Sequence, residues 1–225
     1  MTVPAASAPH VVVLVCERAT TTAGDRMLLV GVVAEVTGVP RAEVVVSRRC
    51  ARCGGDHGRP VLVRCGERGV EGIDLSLSRA GRSVAIAVSF AGPVGIDIES
   101  VAAASHAGLD DVAFGPPERE RLASADGSPA LRTAMWTAKE AVLKATGDGL
   151  RVDPRELEVS FVGPMRGSPP RPALAGWPGA PVPVGSFHLS ALDVAPGLVG
   201  TIAVIAPARP DIRQLAPAAH QSAAP

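Results

Sequence analysis

The stretch SVAIAVSF-AGP-VGIDIE, residues 83–99, constrains the fold more than any other part of this chain. SVAIAVSF is a continuous apolar run of strand length, the pattern of a strand covered on both faces. AGP then turns the chain and VGIDIE resumes, so Ser83 to Glu99 reads as a hairpin. Side chains alternate along a strand, so Asp97 and Glu99 face one way while Ile96 and Ile98 face the other. A carboxylate in such surroundings is costly unless it finds a partner. Water along a half-exposed acidic face would supply one. A divalent cation would supply another, and oxygen-only ligands suit Mg²⁺ or Mn²⁺.

The flanking pattern predicts an α+β fold. VVVLVC is a first strand, and TTTAGDRMLLVGVVAEVTGVP is a helix whose Met27, Leu28, Val32, Val33 and Val36 fall near helical spacing, stopped by Gly38 and Pro40. EVVVS and PVLVRC are further strands, followed by a turn-rich piece. In the second half a short helix begins near Pro117. A longer one starts at Ser128-Pro129, a capping hydroxyl followed by proline at the first position, and ends at Gly147. ELEVSFV is a strand, the Pro/Gly-rich residues 163–185 read as an irregular surface loop, and SFHLSALDV with LVGTIAVIA reads as a final hairpin. The order β-α-β-β-β followed by a second β-α-β-β-β suggests two similar α+β halves, 1–92 and 93–206, with a disordered tail from 207 to 225.

Composition narrows the function. With 225 residues, 47% of them hydrophobic, the chain can build a proper core. Its zero formal net charge gives no bulk attraction to nucleic acid or to an anionic membrane. No apolar run approaches the roughly 20 residues that span a bilayer. The N-terminal sequence has no basic segment ahead of its short apolar run, so it reads as a strand and not as an export signal. The four cysteines, Cys16, Cys50, Cys53 and Cys65, are then expected to be reduced thiols in a cytoplasm.

Two further segments could carry chemistry. In WTAKEAVLK, Trp136, Glu140 and Lys144 share a helix face, with Lys139 beside it. That is either a surface Glu–Lys pair or a third carboxylate and a lysine for a metal-assisted phosphoryl site. In CARCGGDHGRP, Cys50, Cys53 and His57, with Cys65 beyond, could hold zinc. Alternatively, its glycines shape a turn that presents backbone N–H groups and Arg59 to an anion, close to Arg48 and Arg49, or it is a solvated basic loop.

Taken in order, HGRP, DLSLS, GIDIE and WTAKEAVLK resemble the Sfp-like 4′-phosphopantetheinyl transferases over roughly residues 24–150. FGPPERERL sits where that family has a Phe-x-x-x-Glu segment, and DVAPGLVGTIAV is similar to its last hairpin. The resemblance implies two α+β halves related by a pseudo-twofold, with an active-site cleft between them. It implies transfer of the phosphopantetheine arm of coenzyme A to a serine of an acyl or peptidyl carrier protein, releasing 3′,5′-ADP, in polyketide, fatty acid or nonribosomal peptide synthesis. Asp97, Glu99 and Glu140 would hold Mg²⁺, or Mn²⁺ in its place. Glu140 would also serve as base, directly or through water, and Lys144 would neutralise or protonate the departing phosphate. Gly58, Arg59 and Pro60 would contact the nucleotide end, and Ser76 would lie near its phosphates. Two departures stand out. Leu77 replaces the family's usual histidine, and the basic stretch before the first helix is short, so Arg26 or the Arg48/Arg49 pair would have to compensate. The competing readings are a degenerate relative that binds carriers without modifying them, and a zinc-knuckle nucleic-acid binder, which zero net charge and 3% aromatics disfavour. The length fits the single-chain, monomeric type.

Overall fold

The computed structural model describes residues 9–49, 54–67, 69–103, 108–124, 128–162 and 171–216. Its first half runs β1 (His10–Glu17), α1 (Thr22–Thr37), β2 (Val44–Arg49), β3 (Asp56–Cys65), β4 (Asp74–Ala80) and β5 (Ser83–Ser89). The second runs β6 (Val94–Ser100), α2 (Leu109–Ala113), α3 (Pro116–Ser124), α4 (Pro129–Thr146), β7 (Glu158–Val162), β8 (Arg171–Gly176), β9 (Phe187–Ala191), β10 (Leu198–Ile205) and β11 (Asp211–Leu215).

The runs that read as two-sided strands are indeed covered on both faces. One sheet has the order β11-β1-β5-β4 and the other β6-β10-β9, and β2-β3 and β7-β8 form separate ribbons. Leu14, Val84, Ile86 and Val88 of the first sheet pack with Leu29, Val32 and Val33 of α1. On the opposite face Val11, Val13, Ala85 and Ala87 meet Val94, Ile96, Ile98, Ile202 and Val204 of the second sheet. The outer face of that sheet, including Leu189 and Ala203, is covered by Met135, Ala138, Ala141 and Val142 of α4. The layers are therefore helix, sheet, sheet, helix, with the apolar alternation of each strand divided between two cores.

The α+β class is as expected. β1 pairs with β5 and β5 with β4, all antiparallel, just as β6 pairs with β10 and β10 with β9. Each half places one long helix after its first strand. α4 begins and ends as its sequence dictates: the Ser128 hydroxyl accepts from Leu131 N–H, and Gly147 closes the helix at φ 78°.

Three expectations are corrected. Residues 83–99 are no hairpin, because β5 and β6 belong to different sheets. The turn between them crosses the interface at Gly92, where φ is 140° and a Cβ would stand 2.3 Å from Ile205 O. The Pro/Gly-rich region is not irregular throughout, since Arg171–Gly176 forms β8 against β7 and buries Leu174; residues 163–170 lie outside the described residues. The chain from 207 is not a disordered tail up to its end: Asp211–Leu215 adds in parallel to β1, whose outer edge would otherwise be unpaired. Residues 217–225 are not among those described. Among the described residues no helix is long and apolar enough to cross a membrane.

Candidate active site

β4 and β6 lie against each other at the margin where the two sheets meet, yet they share no ladder. DLSLS explains how both are satisfied. Leu75 and Leu77 point into the core beneath α1, while Asp74, Ser76 and Ser78 point to β6. Val94 N–H donates to Asp74 Oδ2 at 2.7 Å and Ile96 N–H to Ser76 Oγ at 3.0 Å. The carbonyls of the same edge are met by cations: Arg59 donates to Val94 O at 3.1 Å and Lys144 to Ile96 O at 3.2 Å. Side chains thus do the work of a missing strand, and an edge that would be costly to bury unpaired is closed.

This closure gathers the chemistry. Asp97 is 2% exposed. Its Oδ1 accepts from Lys144 Nζ at 2.6 Å and from Ser78 Oγ at 2.8 Å, and Lys144 also reaches Ser78 Oγ at 3.3 Å. Its Oδ2 is buried with no hydrogen-bond partner among the described residues. Asp97 lies opposite Thr201 of β10, whose hydroxyl is 3.1 Å from that of Thr137 on α4, so helix and strand are pinned beside the carboxylate. At Gly95 the α4 backbone comes so close that a Cβ would sit 1.9 Å from Ala141 O. That approach brings Glu140 and Lys144 over Asp97 and Glu99.

All three carboxyls are shifted upward. Burial pushes the Asp97 carboxyl up from the ordinary range, against the pull of Lys144, Ser78 and the Ile98 backbone N–H. Burial also raises Glu140, helped by the charge of Asp97 and opposed by Lys144. Glu99 is raised by burial first, then by Asp97 and Glu140, with Lys144 again opposing. Burial is the leading cause in all three, and repulsion adds to it at Glu99 and Glu140; a bound cation would relieve both. The donor chemistry, three carboxylates, suits a hard divalent ion, and among the described residues one Asp97 oxygen has no hydrogen-bond partner. Among the described residues, however, no three His, Cys, Asp or Glu side chains are grouped closely enough to hold a metal ion as they stand.

A cleft of about 270 Å³ adjoins this group, lined by Arg48, Gly58, Arg59, Pro60, Ser76, Leu77, Leu143, Lys144, Gly147 and Gly149. The structure therefore brings together Gly58, Arg59 and Pro60, expected at the nucleotide end, Ser76, expected near its phosphates, and Lys144, expected at the departing phosphate. Arg59 is also a brace, bonded to Asp74, Val94 O and Ala145 O (3.3 Å). Ser76 lines the cleft with its hydroxyl engaged by Ile96 N–H. Arg26 does not join them: it lies in the first turns of α1, outside the cleft lining. Arg48, by contrast, adds a cation on the cleft wall and donates to Gly58 O at 3.0 Å. Two larger hollows, about 710 and 460 Å³, lie elsewhere and hold none of these groups. Cys50 and Cys53 of the suggested zinc cluster lie outside the described residues, as does the side chain of His57.

Lys139 is a residue whose role helix-face counting missed. Instead of flanking Glu140 at the surface it is fully buried, bonded to Glu118, to Ala113 O at 2.7 Å and to Pro154 O at 3.0 Å, with the Phe114 ring 5.2 Å away. The Phe-x-x-x-Glu spacing was the signal that could have found it.

Residues 93–169 match the family model of the 4′-phosphopantetheinyl transferase superfamily. Over 99 residues, 43% of the chain, it is 32% identical to a Synechocystis sp. protein that carries the provisional name 4′-phosphopantetheinyl transferase, and spans 39% of that relative's length. Among solved structures it is similar to a holo-ACP-synthase from Plasmodium yoelii, with 19% identity and a TM-score of 0.38, covering 51% of this chain and 93% of that one. At that TM-score the likeness adds nothing to the reading of the site.

Proposed function

We propose that this chain, which carries the segment of the 4′-phosphopantetheinyl transferase superfamily over residues 93–169, moves the phosphopantetheine arm of coenzyme A onto a serine of an acyl or peptidyl carrier protein. One observation carries the reading: Lys144 lines the Arg48/Arg59 cleft and also bonds Asp97, so an anion-binding cleft and a carboxylate group meet at one side chain. The pyrophosphate would lie along the cleft between Arg59 and Lys144. Asp97, Glu99 and Glu140 would hold Mg²⁺, which supplies charge neutralisation at the pyrophosphate when bound.

In this reading the serine oxygen forms a bond to the phosphorus that bears the pantetheine arm. The bridging P–O bond breaks and 3′,5′-ADP departs. Glu140 takes the serine proton, directly or through water. Lys144 compensates the charge that appears on the leaving phosphate. Leu77, directed into the α1 core, offers that phosphate no donor, and Arg48 stands on the same cleft wall. Arg48→Ala is therefore expected to raise the KM for coenzyme A about tenfold with kcat nearly unchanged, measured by steady-state kinetics. Both halves of the site come from one chain, consistent with a working monomer.

The test is the intact mass of apo carrier protein incubated with coenzyme A, Mg²⁺ and the protein. An increase of one phosphopantetheine arm is expected. A carrier that binds tightly but gains no mass, even at high coenzyme A, would overturn the transfer in favour of a carrier-binding relative.

A further inference from the structure

We propose that Ser78 is a positioning residue for the carboxylate group, acting across the boundary between the two halves. The inference rests on the functional reading above and concerns how the metal-holding carboxylate is aimed. Ser78 stands on β4 of the first half, whereas Asp97 and Lys144 stand on β6 and α4 of the second. Its hydroxyl is well placed to do two things at once. It donates to Asp97 Oδ1 at 2.8 Å, and its oxygen lies 3.3 Å from Lys144 Nζ as an acceptor. Lys144 itself reaches the same Oδ1 at 2.6 Å, so serine, lysine and one carboxylate oxygen form a closed triangle.

The triangle has a consequence for the other oxygen. With two donors on Oδ1, the Asp97 carboxylate is fixed in rotation, and among the described residues Oδ2 is left buried without a hydrogen-bond partner. A carboxylate with one oxygen occupied and one bare is set up to give the bare one to a cation. Without the Ser78 hydroxyl, Lys144 would lose its lateral support. The carboxylate could then turn and give Lys144 both oxygens, competing with any metal. Ser78 is only 7% exposed, so no bulk water would take the place of its hydroxyl. The neighbouring polar residues of β4 have other duties: Asp74 and Ser76 accept from the β6 backbone, and only Ser78 reaches a β6 side chain. The three alternate polar positions of DLSLS thus split into two that close the strand edge and one that aims the acid.

The experiment titrates Mn²⁺ into the wild-type protein, Ser78→Ala and Ser78→Thr, following free ion by electron paramagnetic resonance, with melting curves and carrier-transfer kinetics alongside. Ser78→Ala is expected to bind Mn²⁺ roughly 10–100-fold more weakly, the range for loss of a group that orients a ligand. Its kcat should fall in parallel while the KM for coenzyme A stays within about twofold. Ser78→Thr, which keeps the hydroxyl, should recover most of both. Mn²⁺ affinity and kcat in Ser78→Ala within about twofold of wild type would overturn the proposal. So would an equal loss of both in folded Ser78→Thr, because the hydroxyl would not then be the cause. If the wild type binds Mn²⁺ but modifies no carrier, the transfer reading fails separately, and the ion titration alone still decides the role of Ser78.

Discussion

Replacing Lys139 by methionine is expected to cost about 3–5 kcal/mol of stability, the usual penalty for removing one member of a buried ion pair. All three Lys139 donors are in use, on Glu118, Ala113 O and Pro154 O. Glu118 in turn accepts from Gly115 N–H at 3.2 Å and Val159 N–H at 2.9 Å. The pair therefore ties four elements together: the end of α2, the start of α3, α4, and the approach to β7. Methionine fills the space but leaves Glu118 charged in a dry place and two carbonyls without donors. Burial draws the Lys139 ammonium down from its ordinary range, opposed by Glu118. For a chain of this size the loss corresponds to a fall of about 6–20 °C in melting temperature. Adding Glu118→Gln should restore part of it, since the stranded charge goes. A single Lys139→Met variant that melts within about 2 °C of wild type would contradict this account of the pair.

Gly95→Ala should damage activity even where the protein stays folded. The added Cβ would stand 1.9 Å from Ala141 O and 2.5 Å from Ala145 N, both α4 backbone atoms that cannot rotate away. The helix must move out, at an overpacking cost of about 1–3 kcal/mol or more. Glu140 and Lys144 travel with it, away from Asp97 and Glu99. A displacement near 1 Å is worth roughly 100-fold in rate. Gly200→Ala is the comparison, because its Cβ would meet the side chains of Ile98, Val194 and Leu192 and not α4. It should lower the melting temperature while leaving kcat close to wild type. Equal activity losses in the two variants would separate the site from the α4 contact at Gly95.

Much of the fold was legible where local signals and tertiary context agree. α4 carried its own start and stop in Ser128, Pro129 and Gly147, and the Val-rich runs of β1, β5 and β10 could only be covered strands. β4 was not legible as a strand although DLSLS alternates, because its serines and aspartate are poor strand formers and their partner is β6 and not water. β8 was hidden by its proline and alanines, and β11 by a short polar sequence that pairs only because β1 leaves an edge open. The apparent hairpin at 83–99 failed for the opposite reason: a clear local pattern was overruled by packing between two sheets.

The site divides along the same line. The i,i+4 spacing of Glu140 and Lys144 and the i,i+2 spacing of Asp97 and Glu99 are local, and each pair could be read. Which side chain meets which is not local. Lys144 meets Asp97 across 47 residues and Ser78 across 66, and Arg59 meets Ala145 O across 86. Arg26, named from the sequence as a compensating cation, is absent from the cleft lining whereas Arg48 is part of it, a difference set by tertiary placement and not by any local pattern.

The most direct test of the central claim is one mass measurement made on four samples. Apo carrier protein with coenzyme A and Mg²⁺ is incubated with the wild type, Asp97→Asn, Glu140→Gln or Lys144→Ala. The account predicts that the wild type adds one phosphopantetheine arm to the carrier and that each variant is slower by roughly 10²–10⁴-fold, the range for loss of a positioned acid–base group. A wild type that adds no mass would contradict it, and so would variants that modify the carrier at the wild-type rate.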